Sequence, residues 1–385
     1  MNPAAPLGPQ TVAVMTDRLI FQHLLEQGTC SRSELSRELK LSKPTASQAM
    51  GRLLDAQLVH VVPAPADVPT QRGPSPEYYA LNPGYGHLLS VFVHAGSLVL
   101  QASDVAGAKL ERAAAPLPAD ISADELEALL ETELQQMIRR VGSRCIYATL
   151  SVSAPVLRDS DRTLTVPNPV LPAAQADLAT VCKRVTGAPL LVDNDVNWMA
   201  LGEYMAGAGQ QASSLLLVYF GPGIGAGLVL DGAVYRGYRG TAAELSYQAY
   251  GKSNLIEHLM EVGFTVPGQG RVAVPEVIEL FEGEPANQEQ AARRAEFLSP
   301  VIEVLGNAAG FLDPQRILIG GPVAQVPGFV EQVRTGLSAH RSVGTDEILA
   351  AQLGDEAQLF GAVAAARSAA AEVIFQRYRT GASQH

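Results

Sequence analysis

Four apolar runs constrain this chain most: YATLSVS (147–153), PLLVDND (189–195), SLLLVYF (214–220) and RILIGG (316–321). They read as buried strands that alternate with helices at 196–207 and 289–311, and a long alanine-rich helix over 356–378 closes the pattern. Such alternation defines an α/β domain. Upstream, HLLSVFV, SLVLQASD and AKLERAA read as three strands, with Ala106-Gly107 as a turn. A helix over 122–141 follows, opened by the capping box Ser122/Glu125 and closed near Gly142. At 385 residues the chain exceeds one ordinary core and implies two or three domains. Its 47% hydrophobic and 17% charged residues exclude a disordered chain.

The first ninety residues follow a different plan. Val14, Leu19, Ile20, Leu24 and Leu25 recur near helical spacing over 11–27, and Gly28 stops that helix. Ser31 and Glu34 form a capping-box pattern for a short helix over 31–39. Ser42 caps a third helix over 43–56, where Pro44 sits in the first turn and breaks no intrahelical hydrogen bond. LVHVV (58–62) and EYYALN (77–82) then read as strands around a Pro-rich loop. Three helices followed by two strands is the order of a winged helix-turn-helix.

Charge is distributed accordingly. Residues 1–90 hold seven Lys/Arg and seven Asp/Glu, so the whole net charge of −11 lies in the remainder. A polyanion therefore meets a neutral surface only at the N-terminal part. Cys30, Cys145 and Cys182 stand far apart, which predicts reduced thiols and no local zinc cluster. No continuous apolar run reaches the ~18–20 residues of a membrane helix, and the first residues lack the order of a signal peptide, so the expectation is a soluble cytoplasmic protein.

Four segments in this order resemble the ROK family of sugar kinases and sugar-responsive repressors, in its regulator branch with an N-terminal winged helix: SRSELSRELKLSKPTASQAMGRLLDAQLV (31–59), VDNDVNWMALGE (192–203), FGPGIGAGLVLDGAVYRGYRGTAAEL (220–245) and ILIGGPVAQVPGF (317–329). The resemblance implies a two-lobed actin-like, hexokinase-like (ribonuclease H-like) domain behind the winged helix-turn-helix. It divides the chain at 1–85, 86–195 and 196–385, with the last helix returning to the first lobe. It also implies assembly as a homodimer or tetramer.

In the third helix, Ala46, Ala49, Leu53 and Leu54 can form a buried side while Lys43, Thr45, Ser47 and Gln48 point outward. Gln48 can pair with an adenine edge, the hydroxyls can meet phosphates or bases, and Lys43 and Arg52 read as phosphate clamps. Arg72, beside Gly73 in the wing loop, suits the narrow, negative minor groove of A·T-rich DNA. These residues point to a double-stranded operator, read as an inverted repeat.

For the cleft, the resemblance implies effector contacts from Asn168, Asn194, Asp195, Glu244, Tyr247 and Glu257. Carboxylates and amides suit a polyol because each fixes several hydroxyls. Asp195 also suits a helix cap at the start of 196–207. The family's first-strand aspartate aligns with Phe92, and Pro222 occupies its second phosphate loop, Gly221-Pro222-Gly223-Ile224-Gly225, where it donates no N–H. His94 reads as a packed or capping residue. Where the family carries a histidine and a cysteine-rich zinc loop, this chain has Tyr247 and QAYGKSN, which excludes that zinc site. The expectation is a carbohydrate-responsive repressor that is not an enzyme and holds no metal or cofactor. The alternatives are a regulator whose cleft answers to no sugar and an ATP-dependent sugar kinase.

Overall fold

The computed structural model describes residues 9–65, 76–94, 96–159, 162–165, 176–338 and 347–382. The N-terminal head comprises α1 (Pro9–Gln27), β1 (Thr29–Ser31), α2 (Arg32–Glu38), α3 (Lys43–Asp55), β2 (Val59–Val62) and β3 (Tyr78–Leu81). Ser31 caps α2 through the expected capping box with Glu34, and Ser42 accepts the Thr45 N–H at the start of α3. β3 lies between β1 and β2 in an antiparallel sheet. The sequence reading missed the short β1, because three residues carry no measurable periodicity. It also misassigned parts of two helices: Phe21 rather than Leu19 faces the core from α1, and Met50 rather than Leu54 is fully buried on α3.

The first lobe contains β4 (His87–His94), β5 (Ser97–Asp104), β6 (Lys109–Pro116), α4 (Ala123–Val141), β7 (Cys145–Val152), β8 (Val156–Asp159), β9 (Arg162–Thr165), α5 (Leu178–Thr186) and β10 (Leu190–Asn194). Its five-stranded sheet runs β10-β7-β4-β5-β6, with β4, β7 and β10 parallel, and β8 and β9 form a separate hairpin. Leu126, Leu130, Leu134 and Met137 of α4 pack on one face of this sheet.

The second lobe contains α6 (Asp195–Ala206), β11 (Ser214–Phe220), β12 (Ile224–Leu230), β13 (Ala233–Val234), β14 (Ala249–Tyr250), β15 (Ser253–Asn254), α7 (Leu255–Glu261), α8 (Val274–Phe281), α9 (Gln288–Leu312), β16 (Arg316–Gly320), α10 (Phe329–Leu337), β17 (Ile348–Ala350) and α11 (Glu356–Ala382). Its sheet runs β13-β12-β11-β16-β17. The two lobes thus repeat one plan, a five-stranded mixed sheet, and strands end on the groove between them.

α11 crosses back over α6 and packs on β4 and β7 of the first lobe. Its last buried residues, Ala366, Ala370, Ile374 and Phe375, enter one cluster with Ile20, Phe21 and Leu24 of α1, Leu53 of α3 and Leu88 of β4. Phe21 meets Phe375 edge-on at 5.0 Å between ring centroids. The head therefore shares its core with the body. By length and composition α9 and α11 could each cross a membrane, although neither is a continuous apolar run. Each buries one side in these internal clusters, while Phe311 of α9 and Phe360 of α11 stay exposed.

Candidate functional site

On α3, Ala46, Ala49, Met50 and Leu53 are buried, whereas Lys43, Ser47 and Gln48 are exposed and Thr45 is half-buried. Ser42 and Thr45 share a hydroxyl contact of 2.7 Å at the helix start. Arg52 departs from expectation. Its guanidinium donates to both oxygens of Asp17 on α1, at 2.9 and 2.6 Å, and Asp17 is fully buried. A buried carboxylate must be paired, so Arg52 is bound to the head's interior rather than held out as a phosphate clamp. The signal lay in Asp17 itself, a charged residue at a core position of an amphipathic helix. Arg72 lies outside the described residues.

In the same head, His23, Cys30 and Glu38 bring ligand-type atoms within 4.8 Å of one another. Their contacts are already closed: His23 Nε2 lies 3.0 Å from the Glu38 carboxylate. Burial, with Glu34 and Glu38 beside it, pushes the Cys30 thiol up to about 12, which favours S–H over a ligating thiolate.

Between the lobes lies a cleft of about 640 Å³. α6 begins at its floor. Asn194 caps the helix by accepting the Val196 N–H at 2.8 Å, so Asp195 occupies the first turn instead of the cap position. Asp195 accepts the same N–H through Oδ1, at 2.8 Å, and the Ser153 hydroxyl through Oδ2, at 2.6 Å. Burial raises its pKa, against the opposing pull of Ser153 and His94. Asp193, two residues before Asp195 and still on β10, is engaged by Asn197 and by an ion pair with Arg236.

Glu244 faces the same cavity from the segment between β13 and β14. It follows Ala243, whose φ of +63° is a left-handed conformation that a side chain disfavours. Burial, then the negative charges of Asp195 and Asp193, push the Glu244 carboxyl up to about 7. Tyr247 lines the wall at 49% exposure, its hydroxyl pKa raised by burial and by Glu244. β14 and β15 form a short hairpin after Tyr247, turned at Gly251 with a φ of +59°.

Two expected contacts fall elsewhere. Glu257 is absent from the cleft lining; its carboxylate turns back to the Asn254 N–H in the capping box of α7. Asn168 lies outside the described residues. Lining residues that escaped the sequence reading include Ser153, Asp355 and, in role, His94. Burial lowers the His94 pKa, opposed by Asp195 and Asp355, so the imidazole favours its neutral form. Glu203, the last residue of the 192–203 segment, is wholly buried and accepts the backbone N–H groups of Gln352 and Leu353 at 2.8 and 2.6 Å. It thereby fixes the approach to Asp355.

The part of the wall formed by Phe92 and residues 221–223 is poor in phosphate donors. Phe92 is buried against its lining, the Gly221 N–H is spent on the Gly223 carbonyl at 3.1 Å, and the Pro222 carbonyl accepts the Val272 N–H. Gly225 and Gly227 serve packing: a Cβ on either would press within 2.8 and 2.7 Å of Val196 on α6. Arg112 at the rim is paired with Glu356 at 3.2 Å. Apolar side chains make up much of the wall, but among its polar side chains carboxylates and hydroxyls outnumber cations, which suits a polyol and opposes a polyanion.

A winged helix built onto a two-lobed α/β body is the architecture this geometry defines. Residues 16–67 match the MarR family and residues 95–252 the ROK family. The chain thus carries a ROK family domain behind a MarR-type winged helix. The same fold occurs in a crystal structure of a ROK family transcriptional regulator, a homolog of the E. coli MLC protein, at a TM-score of 0.65 and 18% identity, covering 95% of this chain and 98% of that one. Among curated relatives, the bifunctional enzyme NanE/NanK of Brucella melitensis is 31% identical over 180 residues, which are 46% of this chain and 35% of that protein. The chain thus spans about a third of that relative's length. The N-acetylmannosamine kinase of Citrobacter koseri is 26% identical over 66% of this chain and 89% of its own.

Proposed function

We propose that this protein is a cytoplasmic DNA-binding transcriptional repressor whose inter-lobe cleft binds a carbohydrate or related polyol. The observation that carries the reading is the division of α3, with its apolar side in a core shared with the cleft-bearing body and Lys43, Ser47 and Gln48 exposed on the other. One such head reads one half-site, so a homodimer or tetramer on an inverted repeat follows. Asn194, Asp195, Glu244 and Tyr247 bind the effector; Arg72 and Asn168 remain proposed contacts to the minor groove and the sugar.

The kinase relatives raise phosphoryl transfer as a competing activity. That chemistry depends on anchoring and neutralising the phosphates; Phe92 carries no charge, Pro222 has no N–H and the Gly221 N–H is spent on the Gly223 carbonyl. Asp195 as a base alone contributes only ~10²–10⁴-fold. A cleft without sugar response is favoured by one feature, Tyr247 in place of a histidine.

The test uses the purified full-length chain. Genomic fragments it selects are footprinted, and their affinity is measured with and without a panel of neutral sugars and sugar phosphates, beside a coupled ADP-release assay. Protection of an inverted repeat, a sugar-dependent change in affinity and no sugar-dependent ADP are expected. Failure to select any DNA, or sugar-dependent ADP release above background, overturns the reading.

A further inference from the structure

The Asp17 carboxylate has a third partner. Besides Arg52 of α3 it accepts the Tyr378 hydroxyl of α11 at 2.8 Å. One buried oxygen pair thus joins three helices: α1, which carries it, the DNA-reading α3 and the body's α11. Burial and the bond to Asp17 push the Tyr378 hydroxyl up to about 12, which keeps it a donor at neutral pH.

The other end of α11 stands in the cleft. Asp355, Glu356, Gln358 and Leu359 line it, and the buried Gln358 donates its amide to the Ser151 hydroxyl on β7. Twenty residues of unbroken helix, ~30 Å, separate Gln358 from Tyr378. α6, which begins at Asp195, is meshed with this helix without slack. A Cβ at Gly202 would stand 1.8 Å from the Ala357 carbonyl oxygen, and one at Gly361 1.9 Å from that of Trp198. Helices in such contact shift together or not at all.

We propose that Tyr378 and Asp17 are positioning residues that transmit the state of the cleft, along α11, to Arg52 and hence to the setting of α3. The inference rests on the reading of α3 as the DNA-reading helix and of the cleft as an effector site. A body shift that moves the end of α11 moves Tyr378, and the Asp17 carboxylate it holds also fixes Arg52. The exposed ion pair of Arg18 with Glu372 joins α1 and α11 as well, but touches neither Asp17 nor α3.

The link is tested first without ligand, by hydrogen exchange on the full-length protein. Tyr378→Phe keeps the ring against Phe375, at 5.7 Å between centroids, and removes the hydroxyl alone. Gln358→Ala releases the cleft end of α11. Exchange in α3 is expected to rise about fivefold or more in each single variant, while β11 and β12 stay protected. In the double variant the Gln358→Ala effect on α3 is expected to vanish. Unchanged α3 protection in Tyr378→Phe, or independent effects in the double variant, overturns the link. Asp17→Asn offers a second route to the same cycle, and Arg18→Ala is expected to leave α3 exchange as in the parent.

The second arm uses N-acetylmannosamine as probe and operator affinity as readout. If the sugar shifts affinity in the parent, Tyr378→Phe is expected to reduce that shift at least fivefold while calorimetric binding of the sugar is unchanged; a full shift in the variant overturns the link. If the sugar does not bind the parent, the sugar reading is what fails for that probe, and the exchange cycle still decides the link.

Discussion

Gly202 on α6 and Gly361 on α11 face each other's helix at a crossing where neither backbone leaves room for a side chain. A Cβ at the first would sit 1.8 Å from a carbonyl oxygen, closer than any real contact, and the obstructing atoms are backbone. Gly202→Ala is therefore expected to destabilise the body by about 1–3 kcal/mol, with a lower melting temperature for the chain. Thermal unfolding within one degree of the parent would show that the crossing can open.

Arg52→Ala separates two roles for one side chain. Removing the partner of a fully buried carboxylate is expected to cost about 3 kcal/mol, read by denaturant unfolding. Because Arg52 is turned to Asp17, the slope of operator affinity against salt should stay unchanged, whereas Lys43→Ala should reduce it by about one counterion. A reduced slope in Arg52→Ala would return it to the phosphate-contacting set.

Gln48→Ala retains the helix and its buried face. Loss of a base-reading amide is expected to relax discrimination by about 1–3 kcal/mol at one base pair of each half-site. Competition between single-substitution operators measures this, and unchanged discrimination at every position would remove Gln48 from base recognition.

Glu244 imposes a pH dependence on stability. Its folded pKa of about 7 lies above the ordinary carboxyl value of 4.5, so between those values the folded chain binds more protons than the unfolded one. Stability contributed by the protonated carboxyl is thus present below pH 4.5 and is lost as pH rises through 7. Glu244→Gln is expected to raise the melting temperature at pH 8 and to have little effect at pH 5. An equal effect at both values would show that Glu244 titrates normally.

What the sequence disclosed follows from where the information is local. Capping boxes at Ser31/Glu34 and Ser122/Glu125 specify helix starts within four residues, and both helices begin there. The runs at 147–153 and 214–220 are apolar on both faces because helices cover both faces, so their strands were legible too. Asn194, Asp195, Glu244 and Tyr247 converge on one cleft. The failures concern partners distant in sequence. Nothing within a few residues of Arg52 indicates Asp17, thirty-five positions away, or Tyr378, whose hydroxyl completes the set. Glu257 was misplaced because a capping box and a sugar contact demand the same residue type, and only the path of α7 distinguishes them.

The shared core between head and body also bears on synthesis. Ile20, Phe21 and Leu24 leave the ribosome long before Ala370, Ile374 and Phe375, which cover them and are made more than three hundred residues later. A nascent head must wait with that apolar face uncovered, in need of shielding by a chaperone or the ribosome surface. A messenger broken before residue 366 would yield a product whose head lacks its packing partner, so incomplete copies would be poor competitors for the operator and ready substrates for proteolysis.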